Sequence, residues 1–240
     1  MESLEAYILH YTPLKKRKKF ILENLKSSSL NLHFIEAFDK EDLNYKVIQK
    51  YYENNHEKWK QKSKIYNKDV GLEPPPFREL TKSEISLIQK HKTALEKISD
   101  SENKIGLILE DDIIPVNNYE RKIRNIIQNY TEWDVLFIGL GIGKKFIKKK
   151  LNKKFLIPGR IYDLPTPSTN CTEAILFKKD IANKIVRKFK SFSLPMDYEY
   201  AYLFSELNLD VKITGSPIFY QGSKTYGYNR RSKYEESVRN

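Results

Sequence analysis

Cysteine is almost missing: Cys171 stands alone among 240 residues. No disulfide can form within this sequence, and no CxxC spacing offers a zinc site. Long apolar runs are missing as well, since no stretch reaches the roughly eighteen residues of a membrane-spanning helix. The opening MESLEAYILHYTPLKKRKK has only a short apolar run with no basic segment ahead of it, so it does not read as a signal peptide. A reducing, cytoplasmic setting is the expectation. Internal repeats are absent. Acidic residues are outnumbered, 31 against 43 Lys and Arg, which leaves a net charge of +12. That excess suits nucleic acid, an anionic membrane or a phosphorylated small substrate, and charge alone does not choose among them.

What is present is enough to build a core. Hydrophobic residues make up 40% and aromatics 12% of the chain, too many for disorder. One α/β domain is the expected size class. Ala6 to His10 reads as a strand, followed by a helix with Leu14, Phe20, Ile21 and Leu25 at helical spacing. His33 to Phe38 reads as a second strand and Asp42 to Lys62 as one amphipathic helix; the stretch to Pro74-Pro75-Pro76 reads as loop. Thr81 with Glu84 three residues on is a capping box, so a helix starts there. Ile85, Ile88, Leu95 and Ile98 share its apolar face with His91, which therefore points inward. Ile105 to Leu109 is the continuous apolar run of a covered central strand. Val135 to Ile138 and a segment starting at Glu173 repeat the strand signal, the latter leading into the helical DIANKIVRKF. Strands alternating with helices imply a mostly parallel sheet.

Three carboxylates, Glu110, Asp111 and Asp112, follow the central strand without a break. In open α/β sheets ligands collect beyond the carboxyl ends of the strands. Adjacent carboxylates repel one another unless a cation or basic partner neutralises them. Hard oxygen donors suit Mg²⁺ or Mn²⁺ held by one or two carboxylates, with phosphate and water completing the shell. Alternation along an extended chain lets Glu110 and Asp112 face one site while Asp111 points elsewhere. Asp112 is the expected direct metal ligand and Glu110 a ribose or second metal contact. An acidic surface turn is the plainer alternative.

The block ELTKSEISLIQKHKTALEKI followed by IGLILEDDIIP resembles the signature of glycosyltransferase family 25, which includes bacterial lipooligosaccharide galactosyltransferases and the related collagen galactosyltransferases. Leu80, Thr81, Glu84, Ile85 and His91 fit its pattern, whereas Lys90 stands where the family usually has serine. YILHYTPLKKR with Arg17, AFDKEDL with Asp39, EWDVLFIGLG, LPMDYEY with Asp197, and SPIFYQGSK with Gln221 and Ser223 resemble further family segments in the same order. The resemblance implies a nucleotide-sugar-binding GT-A fold of α/β, Rossmann-like type and a Mn²⁺-type ion on the acidic motif. It also implies inverting transfer of a hexose, commonly galactose from UDP-galactose, to a glycan acceptor such as lipooligosaccharide. The expected domain covers residues 1–223, with a donor half to about 115 and an acceptor half from about 116, and a polar tail from 224 to 240.

Inverting displacement needs a base for the acceptor hydroxyl. Asp197 is the candidate and Glu199 the second, a helix N-terminal acid being the alternative for both. Arg17 is a candidate phosphate contact, Asp39 a uracil or ribose contact and His91 a diphosphate or donor-sugar contact; Asp111 is counted with these nucleotide-binding residues. A core, turn or solvated role stands beside each. All four histidines precede the acidic motif, so Gln221 or diphosphate oxygens must complete the metal shell. Trp133 and Tyr162 are candidate acceptor-stacking rings or core residues. Two competing functions are nucleic-acid binding through the lysine runs and metal-dependent phosphohydrolysis or nuclease action. The first lacks a recognisable module, and the second lacks a further acidic cluster. The run from Lys144 to Lys154 can otherwise hold the protein against the anionic inner face of a membrane if the acceptor is lipid-linked.

Overall fold

The computed structural model describes residues 3–26, 29–65, 76–139, 148, 156–164 and 171–222. Lys148 excepted, the lysine run from Lys144 to Lys154 lies outside these residues, as do Ser223 and the tail. Strands β1 (Leu4–Leu9), β2 (Leu30–Ile35), β3 (Ile105–Glu110), β5 (Val135–Phe137), β6 (Ile161–Asp163), β7 (Ala174–Lys178) and β8 (Val211–Thr214) form one sheet. Its order is β2-β1-β3-β7-β5-β8-β6, while β4 (Ile113–Pro115) and β9 (Phe219–Gln221) pair as a separate ribbon. β2, β1, β3, β5 and β8 run in one direction. The sheet is therefore mostly parallel, as the alternation of elements implies. β7 and β6 run against it, a reversal that apolar periodicity cannot encode.

Helices cover both faces. On one side α4 (Lys82–Asp100), α6 (Lys179–Lys188) and α7 (Met196–Glu206) pack their apolar stripes on Ile108, Phe137, Ile175 and Phe177. On the other, α1 (Lys15–Asn24) and α5 (Tyr119–Asn129) cover Leu107, Leu109, Leu136 and Leu176. Trp133 and Tyr162 are buried in these cores. The alternation of Ile108 and Leu109 between the two cores is the period-two rule of a strand. It requires burial on both faces, and that is why IGLIL reads as an unbroken apolar run. The Thr81 hydroxyl and the Glu84 carboxylate satisfy each other's backbone donors, so α4 begins where the capping box sets it.

Two elements differ from expectation. β2 begins at Leu30 and ends at Ile35 because its register follows β1, Leu4 opposite Leu30 and Leu9 opposite Ile35. Past that point Phe38 takes a positive φ of 65° and turns the chain. The single helix expected over 42–62 is two, α2 (Tyr45–Tyr51) and α3 (His56–Ser63). Tyr52 leaves the helix to bridge Phe192. The Asn55 side chain then accepts the Glu57 and Lys58 N–H groups and starts α3 afresh.

Candidate functional site

The ends of β1, β2 and β3 lie side by side, and their next residues form a polar knot. The Asp111 carboxylate turns toward β1 and α1. Its Oδ2 accepts the Tyr11 N–H at 3.1 Å and lies 3.0 Å from His10 Nδ1, and its Oδ1 accepts from Arg17 at 2.7 Å. Burial pushes this carboxyl up, but His10, Arg17 and the Tyr11 amide outweigh it and hold it below the usual range. Asp39 is set in the same way. Its Oδ1 accepts from buried Lys90 at 2.8 Å, and its Oδ2 takes the Thr12 amide at 3.1 Å and the Thr12 hydroxyl. Burial opposes, and Lys90 with Thr12 prevails, so this carboxyl also sits low.

Lys90 is the pin of the knot. Its Nζ reaches the carbonyls of His10 and Ala37, both at 2.8 Å, as well as Asp39. It thereby ties the ends of β1 and β2 to α4. A cleft of about 250 Å³ opens beside it, lined by Tyr11, Arg17, Lys40, Lys90, Glu110 and Asp111 among others. Three cations and two carboxylates thus meet at the carboxyl ends of β1 and β3.

The strand ends at Glu110 and the chain turns at Asp111 and Asp112, so the extended alternation expected of these three acids does not hold, and Glu110 takes partners different from those of Asp111. The Thr172 hydroxyl donates to its Oε1 at 2.6 Å, and the Gln221 amide lies 3.4 Å from its Oε2. β9 also brings the Gly222 N–H to the Asp112 carbonyl at 2.6 Å. Glu110, Asp112 and Gln221 are therefore neighbours, and Asp112 is buried. Glu173 joins them unannounced by the sequence. The Glu110 N–H donates to the Glu173 carbonyl at 3.0 Å, and the buried Glu173 carboxylate fills the place of a Cβ on Gly139. Among the described residues no three His, Cys, Asp or Glu side chains are grouped to hold a metal.

His91 lies behind this row, wholly buried, with Nδ1 at 3.1 Å from the Tyr200 hydroxyl. Burial drives its pKa down to about 3. Burial first, and the charge of Glu110 second, raise Tyr200 well above its ordinary value. The pair is neutral.

Asp197 is half-buried in the first turn of α7, where its Oδ1 accepts the Tyr198 N–H at 3.1 Å. Glu199 is fully buried. Lys62 Nζ lies 2.7 and 2.9 Å from its two oxygens, and the Ser193 and Leu194 N–H groups donate to Oε1 at 2.6 and 2.9 Å. Burial still pushes its carboxyl above the usual range. The sequence gives no sign of Lys62 or Thr172 and marks Lys90 only as a departure from the family's usual serine, since each acts across elements far apart in the chain.

The family model described as glycosyltransferase family 25 (LPS biosynthesis protein) matches residues 4–199. No curated protein matches the chain. Among solved structures it is similar to the glycosyltransferase GlyE of Streptococcus pneumoniae TIGR4, with 8% identity over 100% of this chain and 61% of that one, TM-score 0.48. The galactosyltransferase LgtC, in complex with donor and acceptor sugar analogs, gives 8% identity over 99% and 97%, TM-score 0.45. Mouse xyloside xylosyltransferase 1 gives 9% over 95% and 100%, TM-score 0.45. At such scores the family match alone carries weight, and it favours neither the nucleic-acid nor the hydrolase reading.

Proposed function

This chain belongs to glycosyltransferase family 25 and is a glycosyltransferase, and from that premise we propose that it is a metal-dependent, inverting hexosyltransferase. The donor is a nucleotide sugar, UDP-galactose, and the acceptor a hydroxyl of a glycan such as lipooligosaccharide. Residues 1–223 form the GT-A domain in this reading, with the donor half to about 115 and the acceptor half after it.

The observation that carries the reading is the contact of Gln221 with Glu110 at the end of β3, with Asp112 buried two residues on, beside a cleft that Arg17, Lys40 and Lys90 make cationic. These donors are hard oxygens and fit Mn²⁺ or Mg²⁺. With no protein cage of three ligating side chains among the described residues, diphosphate oxygens and water complete the shell. Such an ion, when bound, supplies Lewis-acid stabilisation to the departing diphosphate.

The chain's own residues do the rest. Arg17, pinned by Asp111, is pre-oriented as a phosphate partner. Asp111 and Asp39 act on the nucleotide through the loop they fix, since both carboxylates are spent on protein donors. His91 holds Tyr200 behind the site and does not touch the donor. Asp197 takes the proton of the acceptor hydroxyl as it attacks the anomeric carbon from the face opposite the diphosphate. Glu199, closed to solvent and bound to Lys62, is structural.

Asp112→Asn and Asp197→Asn separate the two halves of this reading. Asp112→Asn abolishes Mn²⁺-dependent UDP binding measured by calorimetry, with the fold intact by circular dichroism. Asp197→Asn lowers turnover by about 10² to 10⁴ with donor affinity near wild type. Full activity of Asp112→Asn, or loss of donor binding in Asp197→Asn, contradicts it.

A further inference from the structure

The break between α2 and α3 brings this segment against the loop that precedes α7. Lys62, from the end of α3, has a side chain only 9% exposed, and it meets Glu199, whose side chain is 0% exposed. Its ammonium also lies 3.4 Å from the Ser191 carbonyl. The Glu199 carboxylate spends the rest of its capacity on the Ser193 and Leu194 amides. A second tie runs parallel to the first. The Phe192 N–H donates to Tyr51 O at 2.9 Å, the Glu53 N–H donates to Phe192 O at 2.8 Å, and the Tyr52 and Phe192 rings stack at 5.7 Å. The Tyr52 hydroxyl then accepts the Leu80 N–H at 2.8 Å, just ahead of α4. Residues 191–194 are thus held at every step by groups from residues 51–62 or by Glu199. The chain they hold runs into Pro195, the N-cap of α7, and then Asp197.

A buried ion pair is a poor means of stabilising a fold, because desolvating two charges offsets their attraction, and an apolar pair of like volume often does as well. What the pair does supply is geometry. Lys62 belongs to one element, Glu199 to another, and the loop amides between them have no strand to bond to. Without the carboxylate in its place those donors lose their partner, and the loop must move. Displacement of a reacting group by about 1 Å can cost on the order of 10² in rate.

We infer that Lys62 is a positioning residue of the transferase: acting through Glu199, it fixes the 191–194 loop and so the place of Asp197. The inference rests on the reading of Asp197 as the base. Lys62→Met is expected to lower kcat about 10-fold to 10²-fold while the Kd for UDP with Mn²⁺ stays within twofold, and Lys62→Arg to restore most of the loss. In an Asp197→Asn background Lys62→Met should cost less than twofold more, because groups that act as a unit are not additive. If Lys62→Met fails to fold, the pair Lys62→Met with Glu199→Leu removes the stranded charge. Its Tm should then recover while kcat stays low. Recovery of kcat together with Tm, full activity of Lys62→Met, or losses that multiply in full with Asp197→Asn each overturn the inference. A fully active Asp197→Asn alongside an impaired Lys62→Met overturns the base assignment instead.

Discussion

Because His91 is buried in its neutral form, the folded state resists taking up a proton that the unfolded chain accepts readily. With a folded pKa of about 3 against an ordinary 6.5, stability is intact above 6.5 and falls as the pH drops below it. Between pH 7 and pH 5 the loss is about 2 kcal/mol, at roughly 1.4 kcal/mol per pH unit. His91→Gln keeps a partner for Tyr200 and removes the titration. Chemical denaturation at the two pH values should show the gap shrinking by that amount, and an unchanged gap would place the proton uptake elsewhere. The inward direction of His91 was legible from the apolar stripe of its helix, and the acidic triplet was legible as a strand-end cluster. The partners of those acids were not. Glu173 stands beside Glu110, and Thr172 donates to it, only because β7 runs antiparallel in one register; Lys90 reaches Asp39 from 51 residues away. Short-range patterns carry no such information.

At the scale of elements, the capping box of α4 and the doubly buried β3 were written locally and appear where expected. The split of α2 from α3 was not, because Tyr52 and Asn55 fit a helical pattern as readily as a break; the bridge to Phe192 decides between them. α4 sits close on β3 because residue 106 is glycine: a Cβ there would clash with the buried Ile98 side chain. Gly106→Ala should therefore cost about 1–3 kcal/mol by overpacking, read from urea denaturation. Adding Ile98→Val, which removes one methyl from the contact, should recover part of it. A neutral Gly106→Ala would show that α4 can slide away without penalty.

Taken whole, the molecule has its polar knot at the ends of β1, β2 and β3 and Asp197 on α7, with helices on both faces of a mostly parallel sheet. No helix among the described residues is long and apolar enough to cross a membrane. That α/β frame followed from the alternation of strands and helices, whereas the order of strands depended on long-range pairing. Binding of a nucleotide sugar with a divalent ion at the end of β3, as proposed, is open to test by thermal shift across UDP-, GDP- and CMP-sugars with and without Mn²⁺. A ligand at 100 times its Kd adds about 2.7 kcal/mol to the native state, or roughly 5–10 °C in Tm for a domain of this size. Such a rise is expected for UDP-galactose only when Mn²⁺ is present, and it should be lost in Asp112→Asn. A rise of equal size without the metal, or in Asp112→Asn, or none with any nucleotide sugar, would contradict the proposal.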